Sequence, residues 1–543
     1  MRSTFFRSAG LALLSLVVLA LSVGCAEQRA PINRVQAMAL SKHFFVGPSL
    51  SDTSDDPEFY MGSRIIDQPY GTGQDEALFQ ALGSFARIRW EIQENVLIAR
   101  LTYDRIQNTG GGNTWGSTKT TNGQVVAEFN ITSHFDIIRD YNTQTGEQLN
   151  VTVENTTDRP WYEREYMRVD WSQNLVTDAY DFDVLADATL QGVKLDSLSY
   201  YIEDPSDPNA PVYSETDGYL DVTSKVFATP QTIDTPFGTY PACSIFTPFA
   251  QGAQAPAVTC NPSEITMRLA FKKVVDDDFE PEDWTGPKQS AFGWFTQDRY
   301  GFDQNYGIVD QRWHRFAAKY NVWRQSHVTG AQCAIDAWRD ANGNVATYKV
   351  ENGQFVADPS TGLPVPDPAG QPFTRSVPGT DVHRDENGNG TEDECEFTDD
   401  HGVVQNAGSR CDEFTNKCDL PLYKRETKTI PFYFGPTAPP DLFPSTAAAL
   451  NSWNLAVKRA TQLGKQVEAA RVHVTPPHAL LTTEAELAAD QLGKKSVPDV
   501  FVLCHNPVSV ADDAACGPVG LAVRVGDLRY NLVDVIHTPQ YPT

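Results

Sequence analysis

The chain has 543 residues, 41% hydrophobic and 11% aromatic, enough for roughly two to four domains with real cores. Its 70 Asp and Glu against 43 Lys and Arg leave a net charge of −27, which argues against binding nucleic acid or anionic lipid by charge. With 35 Pro and 37 Gly the composition predicts many turns and a β-rich body.

Residues 1–24 have the form of an export signal. Arg2 and Arg7 precede an apolar run over 11–23 that is short for a membrane span. Leu21-Ser22-Val23-Gly24-Cys25 resembles a bacterial lipobox, which implies acylation of Cys25 and anchoring in a membrane, with the outer membrane or cell surface as the expected location. Residues 25–76, polar and with a DTSDDPEF cluster, are expected to be a tether with some order near 37–46.

Residues 77–280 predict antiparallel β structure, as a sandwich or a barrel. Ile88, Trp90 and Ile92 alternate with charged residues, and after Gln93-Glu94-Asn95 the alternation resumes at Leu97, Ala99 and Leu101, which predicts a hairpin. Further strands are expected at 125–138, 149–153 and 190–228, and at Ile265, Met267, Leu269 and Phe271. His134 sits alone in its strand and reads as structural. Glu163, Arg164, Glu165, Arg168 and Asp170 read as ion pairs at a domain edge.

Residues 281–428 are aromatic-rich, then cysteine- and loop-rich. The ten aromatic residues of 292–323 are expected to pack between domains rather than stack on a sugar. The stretch 385–396, DENGNGTEDECE, fits the twelve-residue calcium-loop pattern D-x-[DN]-x-[DN]-G-x5-E. Calcium wants about six or seven hard oxygens, and the loop offers them from Asp385, Asn387, Asn389, the Thr391 carbonyl, Asp393 and Glu396, with Gly390 at the sharp turn. No amphipathic helices flank it, so an isolated extracellular-type calcium loop is expected. Apart from Cys25 there are eight cysteines, an even number that in an exported chain predicts disulfides. Nearest-neighbour pairing favours Cys243–Cys260 and Cys504–Cys516; Cys333, Cys395, Cys411 and Cys418 can pair in three ways. No CxxC pair points to zinc.

Residues 429–543 have an α/β rhythm. Ile430–Phe434 reads as a strand. Pro444-Ser445 opens a helix with Leu450, Trp453, Val457 and Ala460 on one face and Gly464 as its stop. An acidic helix is expected at 482–492 and an apolar strand at 499–504. The strand, the helix with its Trp453-Asn454, and Gly526-Asp527-Leu528-Arg529-Tyr530-Asn531 in a later strand resemble the front half of a metzincin-type zinc metalloprotease domain. Stretches 134–174 and 295–313 look like those of large bacterial lipoproteins ending in such a domain. The resemblance implies that 526–531 form the substrate-side edge, where a peptide or protein substrate would add as a strand.

The chain departs from that family where zinc is bound. None of its ten histidines is followed by Glu and no two lie four apart, so there is no HExxH. Zinc is expected only together with a further HExxH-bearing half, and these 543 residues are expected to be catalytically incomplete. The alternative is a non-enzymatic, calcium-stabilised binding or scaffold lipoprotein that recognises a surface protein or glycan. A glycoside-active enzyme is weaker, because no carboxylate pair stands out among 70 acidic residues.

Overall fold

The structure is a computed structural model. It describes residues 30–50, 56–67, 86–102, 104–105, 123–176, 193–230, 232–241, 263–275, 277–282, 296–303, 310–332, 347–351, 354–356, 365, 367, 369, 371–372, 390–392, 395–398, 404–406, 408–412, 417–476, 479–493 and 495–534. The chain divides into two compact units, one of residues 1–43 with 131–169, the other of 44–130 with 170–543.

In the smaller unit, the later part of the strand Val125–Tyr141 pairs antiparallel with Gln148–Asn155, which in turn pairs parallel with Ile32–Asn33. Leu40–Ser41 pairs with Tyr166–Asp170. Leu40, Phe135, Met167 and Val169 are buried. The expected ion pairs are partly present with other partners: Arg168 grips Glu154 at 2.8 Å, and Arg159 grips Asp136 at 2.5 Å. Lys42 is nearly buried and donates to the Trp161 carbonyl; burial, with Arg164 nearby, lowers its pKa to about 8. His134 is buried with its ring 5.0 Å from Trp161.

The larger unit is built on a curled antiparallel half-barrel. Its strands run in the order Val96–Leu101, Ala86–Ile92, Phe59–Asp67, Ser263–Lys273, Tyr219–Pro230, Val193–Tyr201. The first hairpin has the register its alternation predicts: Ile88 faces Leu101, Trp90 faces Ala99, Ile92 faces Leu97. Trp90 lies 4.8 Å from Phe271 and 5.4 Å from Phe45, and Trp171 lies 4.7 Å from Phe129, forming an aromatic core. Buried rings of this kind each remove about 150–250 Å² from water.

One expectation changes here. Phe59–Asp67, placed in the tether, is an interior strand between Ala86–Ile92 and Ser263–Lys273. The strand at 263–273 is buried on both faces. Ile265, Met267, Leu269 and Phe271 fill one side, while Ala270 and Arg268 are buried on the other. That second face is covered by residues 523–530.

The α/β segment, also in the larger unit, has a three-stranded parallel sheet. Ile430–Phe434 is central, flanked by Phe501–Cys504 and Asn531–Val533. Helix α1, Phe443–Arg471, follows the central strand, and helix α2, Glu484–Leu492, is opened by a capping box between Thr483 and Glu486. α1 runs past Gly464, the expected stop. One glycine costs a helix only about 1 kcal/mol. Tertiary contacts hold the extra turns: Glu468 Oε2 accepts from the Tyr423 N–H at 2.9 Å.

The buried face of α1 is also different from the expected one. Asn454, Lys458, Thr461, Gln462 and Ala469 are buried, whereas Trp453 is 67% exposed. The polar side chains point inward because the sheet side offers them partners. Asn454 Oδ1 accepts from the Val500 N–H at 2.8 Å, its Nδ2 donates to Asp499 at 2.8 Å, and Lys458 pairs with Asp499 at 2.7 Å. Of the aromatic residues of 292–323, Tyr320 lies 5.2 Å from Phe501, and Lys465 and Arg425 lie over the Trp323 ring, all within the larger unit. Among the described residues no helix is long and apolar enough to cross a membrane.

Candidate metal centre

A dense group of ionisable side chains lies in the cysteine-rich part of the larger unit. Three short strands build it: His327–Gln332, then Lys417–Asp419, then Cys411–Asp412. His327 stands opposite Asp419, and Cys411 opposite Cys418. The hairpin thereby brings the two Cys-Asp dipeptides, 411–412 and 418–419, to the same histidine. Cys395 and Cys418 form a disulfide, and Cys411 is disulfide-bonded as well, so covalent staples hold both dipeptides.

His327 is buried, and both ring nitrogens face carboxylates. Nδ1 lies 2.6 Å from Asp278 Oδ1; Nε2 lies 2.9 Å from Asp412 Oδ2 and 3.3 Å from Asp419 Oδ1. Asp278, in left-handed conformation with φ of 56°, also accepts the backbone N–H groups of Ser326 and His327 through Oδ2. Burial alone would lower the His327 pKa, but hydrogen bonds to Asp412 and Asp278 outweigh it and raise it.

Behind the histidine is a second layer of charge. Arg410 bonds Asp419 Oδ2 at 2.5 Å and also Glu280, which Arg425 grips from the other side. Burial works against ionised Glu280, yet Arg425 and Arg410 outweigh it and hold its pKa low. Asp419 is the strained member: burial and the neighbouring Glu280 push its pKa up to about 7. Its Oδ1 has no hydrogen-bond partner although the side chain is fully buried. His327 Nε2, Asp412 and Asp419 offer ligand atoms all within 4.8 Å of one another and could hold a metal ion. With His327 and Asp412 nearly buried and Asp419 wholly so, the group suits holding strands together, not meeting a substrate.

The sequence-predicted sites fall elsewhere. Cys25, Cys243, Cys260 and Cys333 lie outside the described residues, as do Asp385, Asn387, Asn389 and Asp393 of the calcium-type loop. Of that loop, Gly390 has φ of 86°, Thr391 is buried, and Glu396 begins the strand Glu396–Thr398. Cys504 and Cys516, nearest neighbours in sequence, form a disulfide beside buried Tyr433, whose hydroxyl donates to the Cys516 carbonyl at 2.9 Å.

The substrate-side edge needs correction. Gly526, Asp527, Leu528, Arg529 and Tyr530 lie in turns, and only Asn531 belongs to the strand Asn531–Val533. The turns are occupied by the half-barrel: Arg529 lies 4.3 Å over the Tyr219 ring and pairs with Asp217 at 3.0 Å. Gly526, with φ of 82°, lies so close to the sheet that a Cβ would come within 3.2 Å of Arg64 Cβ. The His327 group was missed because its members come from three distant segments. The repeated Cys-Asp dipeptide was the one local signal. No family model, curated protein or solved structure matches the chain.

Proposed function

We propose that the protein is an exported lipoprotein, anchored through Cys25, that is related to secreted metzincin-type zinc metalloproteases and acts in these 543 residues without hydrolysis. The observation that supports it is the α/β segment. Ile430–Phe434 lies between two parallel strands, and α1 with Trp453-Asn454 packs its Asn454 against the strand Phe501–Cys504. The strand and helix that carry the resemblance thus lie together on one three-stranded sheet, and the sequence has no HExxH to complete a catalytic zinc. The purified chain is expected not to cleave casein, and Cys25→Ser is expected to move it from the membrane to the soluble fraction. Chelator-sensitive cleavage, or a Cys25→Ser protein that stays membrane-bound and still incorporates fatty acid, would remove this reading.

A second reading, a calcium-stabilised binding or scaffold lipoprotein for a surface protein or glycan, is favoured by Gly390, whose φ of 86° is the left-handed turn the sixth loop position needs. It predicts that Asp385→Ala lowers the melting temperature in calcium and not in chelator. An equal fall in both would leave the loop without a metal.

A further inference from the structure

The geometry points to His327, Asp412 and Asp419 as inner ligands of a structural first-row divalent metal ion, with Asp278 as the residue that orients the histidine. Ligand atoms sharing a metal with bonds of about 2.1 Å lie about 3 Å from one another. Here Nε2 is 2.9 Å from Asp412 Oδ2 and 3.3 Å from Asp419 Oδ1.

The outer shell fits as well. A metal-bound histidine commonly gives its other N–H to a carboxylate, which fixes the tautomer and ring plane. Asp278 stands in that place, 2.6 Å from Nδ1, and is itself held by two backbone N–H groups. That leaves the Nε2 lone pair directed at Asp412 and Asp419.

The orphaned oxygen is the independent observation. A proton on Nε2 is an adequate bridge to Asp412, but it leaves Asp419 Oδ1 buried without a hydrogen bond. Such an atom normally costs a fold about 1–3 kcal/mol. A cation shared by the three atoms satisfies both carboxylates at once. The charges agree: among the described residues, the four carboxylates of Asp278, Glu280, Asp412 and Asp419 gather beside the guanidinium groups of Arg410 and Arg425, with Lys319 acting on Glu280. One imidazole with two carboxylates suits zinc or manganese better than calcium, which prefers about six to eight oxygens. The site is separate from the loop at 385–396 and does not depend on the metzincin resemblance.

The test uses the full chain without a histidine tag, stripped by chelator and titrated with Zn²⁺, Mn²⁺ and Ca²⁺ in separate arms. The wild type is expected to retain about one equivalent of zinc or manganese. Asp385→Ala should keep that equivalent, Asp419→Asn and His327→Gln should lose it, and Asp278→Asn should bind about 10–100-fold more weakly. Pulsed EPR of the Mn²⁺-loaded wild type needs no variant and should show one coordinated imidazole nitrogen. No retained zinc or manganese, a manganese spectrum without nitrogen, or unchanged binding in Asp419→Asn would each overturn the assignment in favour of a proton-held ion pair.

Discussion

Lys458→Ala is expected to loosen the C-terminal α/β segment by about 3–5 kcal/mol, the usual cost of removing one partner from a buried ion pair. Lys458 is fully buried, and Asp499, its partner at 2.7 Å, is 7% exposed. The lysine also donates to Gln491 of α2 at 2.6 Å, so its loss uncouples α1 from both the sheet and the second helix. Lys495, which reaches the same carboxylate at 2.9 Å, is 48% exposed; Lys495→Ala is expected to cost under about 1 kcal/mol. Trp453→Ala on the exposed face should cost about as little. Because two compact units need not unfold in one step, the readout is hydrogen exchange along α1 together with the denaturant midpoint. A Trp453→Ala variant less stable than Lys458→Ala would mean that α1 buries its apolar side after all.

The same ion pair has a pH signature. Burial alone would raise the Asp499 pKa, but hydrogen bonds from Lys458, Lys495 and Asn454 outweigh it and set it below the ordinary value. A carboxyl with a depressed folded-state pKa stabilises fully above its unfolded value and loses that contribution as pH falls through the folded one. The segment should therefore hold its protection down to about pH 4 and lose it below. In Lys458→Ala the loss should be shallower, since part of the depression is already gone.

What could be read from the sequence was local. The hairpin at 86–101 was legible because an alternating strand, a polar turn and a second alternating strand leave one register that buries Trp90 and Leu97 together. The parallel strand at 501–504 was legible as an apolar run. Phe59–Asp67 was not, since its neighbour Ser263–Lys273 lies some two hundred residues away and Gly62 and Arg64 obscure its alternation. α1 shows a limit of a different kind. Its periodicity was visible, but periodicity locates an apolar stripe without saying that the stripe is the buried one. Asp499, Asn454 and Lys458 satisfy one another inside, and that removes the penalty which normally keeps such side chains out. The His327 group is the extreme case: its members come from residues 278–419, and strand pairing and the disulfides bring them together.

Arg524→Ala should release the C-terminal turns from the half-barrel, again at a cost of about 3–5 kcal/mol. Asp221 is fully buried on the strand Tyr219–Pro230 and is paired with Arg524. Without that guanidinium its remaining hydrogen bonds among the described residues are from the Tyr219 hydroxyl at 2.7 Å and the Val212 N–H at 3.3 Å. Burial and Asp221 push the Tyr219 pKa up, so the hydroxyl remains a donor but brings no charge. Arg268, wholly buried beside them, is spent on the Val525 carbonyl and on Asn209, the latter at 2.7 Å. Arg529 is a second latch: it meets half-exposed Asp217 at 3.0 Å and buried Asp527 at 2.8 Å, and because its loss leaves the Asp527 carboxylate uncompensated, Arg529→Ala should also cost about 3–5 kcal/mol. The decisive comparison is Arg524→Leu with Asp221→Asn. The double variant removes both charges and should recover much of what the single Arg524→Leu loses, because the uncompensated carboxylate is the main penalty. The readout is proteolysis within 523–530 and exchange of the Asn531–Val533 amides, which pair with the central strand Ile430–Phe434. If the double variant is as labile as the sum of its parts, the turns are held by shape and backbone contacts. If it recovers, the charge pair carries the register of Asn531–Val533, the strand that the family resemblance assigns to a substrate and that in this chain is fixed from behind by the half-barrel.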